Sequence, residues 1–219
     1  MRIMIHGVPK RQKHIEMMEA ILVSQGVHPE EVLLYMDNDM KGNLQATVSS
    51  YEYLAERILD PTEQIWHLQD DVVICKNFVE RIKIIQEEGP HNIICAFCSK
   101  VDESIHPGAT LPRCMWYSFQ CIRMPVGLST GFAKWIRKGE HSVNRRRKIA
   151  ANKYDDSLFR EYMLEKHPYY PVVNYSPNLV DHRDDMCGGS IVNPGREQPL
   201  RALYYSTRAS DAWMNRYEQ

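Results

Sequence analysis

The chain has 219 residues, of which 43% are hydrophobic and 25% are charged, as in an ordinary globular protein with one substantial core. Its formal net charge of −1 argues against a protein that holds nucleic acid mainly through bulk electrostatics, while a local basic groove is still compatible with it. No segment of the sequence approaches the roughly 20 apolar residues that span a bilayer, and the N-terminus lacks the pattern of a secretory signal, so we expect a cytoplasmic protein.

Strand-like and helix-like segments alternate in the first half of the sequence. Residues 43–59 illustrate the helical pattern, because Leu44, Val48, Tyr51 and Ile58 recur at the spacing of one helix face. Alternation of this kind predicts an α/β fold with a mostly parallel central sheet flanked by helices. The predicted strands span residues 2–8, 32–36, 64–68 and 93–97, and the predicted helices span residues 11–25 and 43–59 and begin again at Lys76.

The second half is richer in aromatic and basic residues. The sequence contains no internal repeat and no low-complexity linker, so one domain over residues 1–219 is the simplest interpretation. The predicted strands of this half are residues 113–124 and 170–175, and its predicted helices are residues 128–137 and 157–167.

A polar, basic segment covers residues 138–153 and contains Arg145, Arg146, Arg147 and Lys148. Such a run of charges is typical of a solvated, mobile segment. The alternatives are a contact with the diphosphate of a ligand or with an anionic acceptor such as DNA.

Six cysteines are spread over strand-like segments, and in a cytoplasmic protein we expect them to be reduced and buried. Cys95 and Cys98 have the two-residue spacing of a zinc knuckle, but the sequence has no second pair of this kind. Structural zinc is therefore the weaker interpretation of these two residues.

Two adjacent carboxylates follow the apolar strand at residues 64–68. Asp70 and Asp71 lie where this strand ends, which is the edge at which open α/β sheets bind their ligands. Because two carboxylates repel each other in a tight site, a cation or hydrogen bonds must compensate their charge. The favoured interpretation is a divalent metal that holds a diphosphate, and the alternative is a turn in which an acid caps the next helix.

Two further clusters carry polar side chains suited to chemistry. Asp155 and Asp156 precede a predicted helix, and His182 ends an extended segment that is followed by a Gly-Gly-Ser turn at residues 188–190. Each has a structural alternative, because acids favour helix starts and a loop histidine is commonly satisfied by its surroundings. Carboxylate oxygens with one imidazole nitrogen suit Mn²⁺ or Mg²⁺.

Together these motifs resemble those of the small nucleotide-sugar glycosyltransferases of the GT-A fold, in the compact form found in bacteriophage and large-virus genomes. The resemblance extends from the first strand to Arg201-Ala202. The motifs that carry it are Gln69-Asp70-Asp71-Val72, Asp155-Asp156, and Leu179-Val180-Asp181-His182 with Ser190 beyond.

The resemblance implies a single GT-A, Rossmann-like domain over residues 1–219. Residues 1–100 would bind the nucleotide sugar, and residues 101–219 would bind the acceptor and supply a C-terminal metal ligand. If the protein is viral, it would act in the host cytoplasm.

The resemblance also assigns roles to residues of the predicted donor site. Asp71 would be a metal ligand, His182 would complete the metal site, and Asp70 would contact the ribose or the donor sugar. Gln69 stands where the family has an acid, a departure that lowers the negative charge around the metal. The residues at the positions that hold the nucleotide base and ribose are Val8, Pro9, Arg11 and Asp37.

The paired acids Asp155 and Asp156 match the motif that carries catalysis in inverting members of the family. The second acid of that motif removes the proton of the acceptor hydroxyl. The resemblance therefore assigns catalysis to this pair, with Asp156 as the general base and inversion at the anomeric carbon.

The implied function is transfer of a sugar from a nucleotide sugar, with a UDP-sugar such as UDP-glucose favoured, to an acceptor hydroxyl with the help of Mn²⁺ or Mg²⁺. The acceptor would be a glycan or a hydroxymethylated pyrimidine in phage DNA. A metal-dependent phosphohydrolase or nucleotidyltransferase is an alternative, although such enzymes typically place more acids around paired metals. A non-catalytic nucleic-acid-binding module is a third possibility, which the balanced charge disfavours.

Overall fold

A six-stranded sheet forms the centre of the protein in the computed structural model, which describes residues 1–89, 91–97, 119–138, 140–175 and 178–183. A separate two-stranded sheet joins β4 to β8. In chain order the strands are β1 (Arg2–Gly7), β2 (Val32–Met36), β3 (Gln64–Gln69), β4 (Val72–Ile74), β5 (Ile93–Cys95), β6 (Cys121–Pro125), β7 (Val172–Asn174) and β8 (Val180–His182).

Helices cover the large sheet. Short 3₁₀ turns at Pro9–Arg11 and Pro29–Glu31 add to the α-helices of the described residues. The α-helices are α1 (Gln12–Ser24), α2 (Asn43–Arg57), α3 (Phe78–Glu88), α4 (Val126–Arg137), α5 (Val143–Ala151) and α6 (Asp155–Lys166).

The strand order of the large sheet is β2-β1-β3-β6-β5-β7. β1 runs parallel to β2 and to β3, and β5 runs parallel to β7. β6 alone runs antiparallel to its two neighbours, β3 and β5. The predicted α/β fold with a mostly parallel sheet is therefore confirmed, with one antiparallel strand inserted at its centre.

The core has one layer on each face of the sheet because side chains alternate along each strand. Ile3 and Ile5 of β1 pack with α1 and α3, whereas Met4 packs with α2, α4 and α6. The continuous apolar runs in the sequence follow from this arrangement, since strands covered on both faces need apolar side chains in both directions.

β1, β2 and β3 are parallel and therefore end on the same side of the sheet. We call this side the carboxyl edge. The 3₁₀ turn at Pro9–Arg11 follows β1 there, and residues 37–42 connect the end of β2 to the start of α2.

Two elements differ from the sequence-based expectations. Residues 72–74 form a strand of their own after the turn at Asp70-Asp71, where the sequence suggests one run that leads directly to a helix. The basic segment contains helix α5 rather than a mobile loop. Sequence periodicity misses α5 because, in the part of the chain that the structure describes, no residue of this helix is buried.

The structure confirms part of the prediction about the cysteines, whereas other predicted features lie outside the described residues. Cys75, Cys95 and Cys121 are buried, free thiols, as expected. The first part of the strand predicted at residues 113–124, the turn at residues 188–190, and Cys98 lie outside the described residues. In the residues that the structure describes, no helix combines the length and apolar character needed to cross a bilayer.

The sheet face covered by α2, α4 and α6 depends on a cluster of aromatic rings around Phe132. This ring is fully buried, and its centroid lies 5.2 Å from that of Phe159 and 6.4 Å from that of Tyr51. Replacing Phe132 by Ala should lower the free energy of unfolding by about 3–5 kcal/mol, because the cavity and the lost contacts add to the lost burial. Urea denaturation followed by circular dichroism measures this change.

Leu59 provides the matched control, because its side chain is 91% exposed. Leu59→Ala should change the free energy of unfolding by less than about 0.5 kcal/mol. Similar losses in the two variants would contradict the placement of Phe132 at the centre of this layer.

Candidate functional site

The end of β1 is held between the two strands that flank it. The backbone N–H of Asp37, just after β2, donates to the carbonyl oxygen of Gly7 at 2.8 Å. On the other side, the backbone N–H of Val8 donates to Oδ2 of Asp70 at 2.8 Å. Three chain segments predicted to bind the donor thus meet at the Gly7–Val8 peptide.

Gly7 is required for this close approach. A Cβ built on Gly7 would lie 2.8 Å from both Cβ and Oδ2 of Asp70 and would also collide with Ile15. The absence of a side chain at Gly7 therefore lets the carboxylate of Asp70 reach the chain after β1. No motif in the sequence distinguishes this glycine.

Arg11 supplies the positive charge between the two adjacent acids. Its Nη1 atom donates to Oδ1 of Asp70 at 2.7 Å and to Oδ2 of Asp71 at 2.9 Å. The Arg11 side chain is only 3% exposed, so both ion pairs are shielded from solvent. The 3₁₀ turn that begins at Pro9 carries Arg11 from the end of β1 back toward the end of β3.

His182 lies beside Asp71, although the two residues are far apart in the sequence. β8 runs antiparallel to β4 and aligns His182 with Val72. Nε2 of His182 is 3.1 Å from Oδ2 of Asp71, and the backbone N–H of Arg183 donates to the carbonyl oxygen of Asp71 at 2.7 Å. We call Arg11, Asp70, Asp71 and His182 the carboxylate cluster.

The two acids of the cluster have opposite pKa shifts. Burial and the charge of Asp71 raise the pKa of Asp70 from 3.8 to about 6, against the opposing effect of Arg11. Burial would also raise the pKa of Asp71, but hydrogen bonding and charge from His182 and Arg11 outweigh it and lower the pKa. Asp71 is therefore the stronger acid of the pair, and with a pKa of about 6 for Asp70 both carboxyl groups are mainly ionised at pH 7.

One carboxylate oxygen of Asp37 accepts a hydrogen bond within the loop that follows β2. Its Oδ2 accepts a hydrogen bond from the backbone N–H of Lys41 at 2.8 Å. Its Oδ1 is buried and accepts no hydrogen bond from the residues that the structure describes. Burial raises the pKa of Asp37. A ligand hydroxyl group could donate to Oδ1 of this carboxyl group.

Asp155 is joined to α2 rather than to the carboxylate cluster. Its Oδ1 accepts from Nδ2 of Asn43 at 2.6 Å, and its Oδ2 accepts from Oγ1 of Thr47 at 3.0 Å. Burial, followed by the charge of Asp156, raises the pKa of Asp155 from 3.8 to about 7. These contacts give Asp155 a structural role, namely to fix the first turn of α6 on α2 near the carboxyl edge.

Asp156 is more exposed than Asp155 and begins the same helix. Its Oδ1 accepts a hydrogen bond from the backbone N–H of Ser157 at 2.6 Å. The first turn of α6 therefore holds Asp156 in place.

Two buried histidines line the opposite face of the sheet from Asp70. The rings of His6 and His67 stack with centroids 5.6 Å apart, and Nδ1 of His67 is 3.3 Å from the hydroxyl oxygen of Tyr51. Burial lowers the pKa of His6 to about 4 and that of His67 well below its ordinary value. Both rings are therefore neutral at pH 7, and sequence patterns alone give no signal for this pair.

The donor atoms of Asp71 and His182 fit a divalent cation. Adjacent ligands of an octahedral ion with bonds of about 2.1 Å are separated by roughly 3.0 Å, and Nε2 of His182 lies 3.1 Å from Oδ2 of Asp71. Oδ1 of Asp71 is buried and accepts no hydrogen bond within the described ranges of the chain. Mg²⁺ commonly uses one or two protein carboxylates plus substrate phosphates, so a small protein ligand set is sufficient.

The same geometry sets limits on metal binding. Within residues 1–89, 91–97, 119–138, 140–175 and 178–183, no group of three or more His, Cys, Asp or Glu residues has the arrangement of a metal site. Arg11 already neutralises part of the charge on Asp70 and Asp71. We therefore expect weak binding of a cation on its own and tighter binding together with an anionic ligand.

No family model matches the sequence. No curated protein matches it at a significant level either. The functional assignment therefore depends on the residues of the site.

The raised pKa of Asp155 predicts a specific pH dependence of stability. Between pH 3.8 and about 7, the folded state binds this proton more tightly than the unfolded state, so stability falls as the pH rises. Asn cannot ionise at this position. When the pH rises from 5 to 8, the free energy of unfolding of Asp155→Asn should therefore increase by roughly 3 kcal/mol relative to that of wild type. Urea denaturation at these two pH values measures the difference.

Asp39→Asn serves as the control, because the Asp39 side chain is 75% exposed. This variant should follow wild type at both pH values. A parallel response of wild type and Asp155→Asn would show that Asp155 is not the titrating group.

Proposed function

We propose that the protein is a GT-A-type glycosyltransferase that moves a sugar from a nucleotide sugar to an acceptor hydroxyl. The single observation that carries the proposal is the 3.1 Å contact between Asp71 and His182 at the carboxyl edge. This contact brings together two distant motifs that the family resemblance assigns to one metal site. It lies next to the turn after β1, where the resemblance expects the nucleotide.

The proposed donor site follows the ends of β1, β2 and β3. Val8 and Pro9 form the wall after β1, and the Oδ1 atom of Asp37 can accept a hydrogen bond from a ribose hydroxyl. Asp70 is fixed next to this wall by the backbone N–H of Val8 and by Arg11. A UDP-sugar is the proposed donor class, with the diphosphate directed toward Asp71 and His182.

Asp71 and His182 are the residues proposed to hold Mn²⁺ or Mg²⁺. When bound, the ion would neutralise negative charge that develops on the diphosphate leaving group. Arg11 lies next to this position and has two roles in the proposal. It keeps Asp70 and Asp71 close together despite their repulsion, and it limits the negative charge that a cation alone would meet.

Asp156 is the proposed general base. The acceptor oxygen forms a bond to the anomeric carbon, the bond between that carbon and the diphosphate oxygen breaks, and the hydroxyl proton passes to the Asp156 carboxylate. Such a direct displacement inverts the anomeric carbon. Asp155 is proposed to act as a positioning residue, since its hydrogen bonds to Asn43 and Thr47 fix the helix turn that carries Asp156.

Donor binding provides the first test. With Mn²⁺, a nucleotide sugar at about 100 times its dissociation constant should stabilise the wild type by about 2.7 kcal/mol. For a protein of this size, that corresponds to a rise in Tm of roughly 5–10 °C. In Asp71→Asn the rise should fall to about the value seen without Mn²⁺, as measured in a thermal-shift panel of UDP-, GDP- and CMP-sugars.

Asp39→Asn again provides a matched control, because Asp39 follows β2 near the site but is exposed. Its stabilisation by donor and Mn²⁺ should equal that of wild type. A lack of stabilisation of the wild type by every nucleotide sugar would overturn the proposal. Release of nucleoside monophosphate instead of nucleoside diphosphate would indicate a phosphohydrolase.

The proposed base gives a second test. Asp156→Asn should lower the rate of sugar transfer by about 10²–10⁴-fold, because the carboxylate that accepts the proton is gone. Donor-induced stabilisation should be nearly unchanged, because Asp156 is not in the proposed donor site. If the variant instead loses donor affinity and keeps its transfer rate, Asp156 is a binding residue.

A further inference from the structure

Helix α5 separates its basic residues into two groups. Residues 142–154 contain five basic residues and no acidic residue. Two of these basic residues face α6 and are paired with acids, whereas two others are exposed. The following contacts show that the helix presents a positively charged outer face.

The inner group fixes α5 to the protein. Nε of Arg145 lies 2.9 Å from Oε2 of Glu161, and its guanidinium carbon lies 4.5 Å above the ring of Trp135. Nζ of Lys148 lies 2.6 Å from Oε1 of Glu161, and Nη1 of Arg145 lies 3.0 Å from Oε2 of Glu165. The charges of Arg145 and Lys148 are therefore balanced within the fold.

The outer group is different. Arg146 and Arg147 are exposed, and neither forms an ion pair with an acid in the described part of the chain. At 100° per residue they flank the outer face of the helix, with the exposed side chain of Val143 between them on the N-terminal side and the small side chain of Ala150 between them on the C-terminal side. Toward the C-terminal end of the helix, the small side chain of Ala150 leaves room for an anionic backbone beside the two guanidinium groups.

The end of α5 is attached to the carboxyl edge. Oδ1 of Asn152, which follows the helix in a left-handed conformation, accepts from the backbone N–H of Gln45 at 2.9 Å. The Nδ2 atom of Asn152 donates to the carbonyl oxygen of Lys41. Since Lys41 also donates its backbone N–H to Asp37, the C-terminal end of α5 lies next to the loop that contains this residue of the proposed donor site.

From this arrangement we infer that the outer face of α5 binds the phosphate backbone of duplex DNA and that this DNA carries the acceptor. The inference depends on the proposed function, because it names the acceptor class of that site. A convex helix surface with exposed guanidinium groups does not enclose a small anion. It does suit a polyanion, whose binding gains free energy from release of condensed counterions.

A neighbouring aromatic residue supports DNA rather than another polyanion. Tyr154 is 46% exposed and directly precedes Asp155 and the proposed base Asp156. An exposed ring can stack on a base that has left the duplex, and every nucleobase offers such a face. A hydroxymethylated pyrimidine held against Tyr154 would carry its hydroxyl group near Asp156.

Fluorescence anisotropy with a labelled 20-base-pair duplex tests the inference in 50–200 mM NaCl. Wild type should bind with an affinity that falls steeply with salt concentration. In the double variant Arg146→Gln, Arg147→Gln the affinity at about 100 mM salt should fall at least tenfold. The slope of log K against log salt should become less steep by about 2, since each lost phosphate contact removes about 0.9.

The control is the double variant Lys76→Gln, Lys83→Gln. It removes the same charge from exposed positions in and just before α3, on the opposite side of the sheet. Its DNA affinity and salt slope should match wild type. Equal losses in both double variants, or a wild type that does not bind DNA at 50 mM salt, would overturn the inference.

Two further measurements separate this inference from the proposed function. Circular dichroism melting should show that both double variants keep the wild-type Tm, and a nucleotide sugar with Mn²⁺ should still stabilise them. Donor stabilisation without DNA binding would overturn the DNA acceptor and leave the transferase proposal standing. DNA binding that depends on Arg146 and Arg147, without any donor stabilisation, would support the surface and overturn the transferase proposal.

Discussion

The guanidinium of Arg11, held between two neighbouring acids, is the interaction on which the candidate site depends. Without Arg11, Asp70 and Asp71 would be two partly shielded negative charges at the end of one strand, an arrangement that costs free energy. Removal of one partner from such a buried pair is typically more damaging than replacement of all partners, because a buried charge stays behind. Arg11 also links the turn after β1 to the end of β3. The same ion pairs therefore compensate the charge of the two acids and hold these two chain segments together.

Residues with different structural and proposed chemical roles lie close together at the carboxyl edge. Gly7 gives room for Asp70, Asp37 has an available oxygen, and the pairing of β4 with β8 places His182 next to Asp71. Both carboxylate oxygens of Asp155 accept hydrogen bonds from α2, and these bonds fix the first turn of α6. The proposed metal ligand Asp71 and the proposed base Asp156 are both partly exposed, whereas the buried Asp155 maintains the geometry of the helix turn.

Much of the fold could be predicted because buried strands and amphipathic helices leave strong periodic patterns. β2 at Val32–Met36 has the predicted bounds, and α2 begins at the predicted residue, Asn43. The sequence could not reveal α5, which is attached by ion pairs and by the partly buried Ile149 and lacks a broad apolar face, or the charge compensation by Arg11, which depends on the turn after β1. Asp155 looked like part of a catalytic pair, and only the position of Asn43 and Thr47 reveals its link to α2.

The two-stranded sheet also has a consequence for the order in which the protein is made. β1, β2 and β3 have all been synthesised within the first 69 residues, whereas β8 ends at residue 182. Contacts between distant segments carry a larger loop-closure cost and tend to form later. A growing chain can therefore assemble Arg11 with its two acids early, but the imidazole of His182 can join them only once β8 has been synthesised.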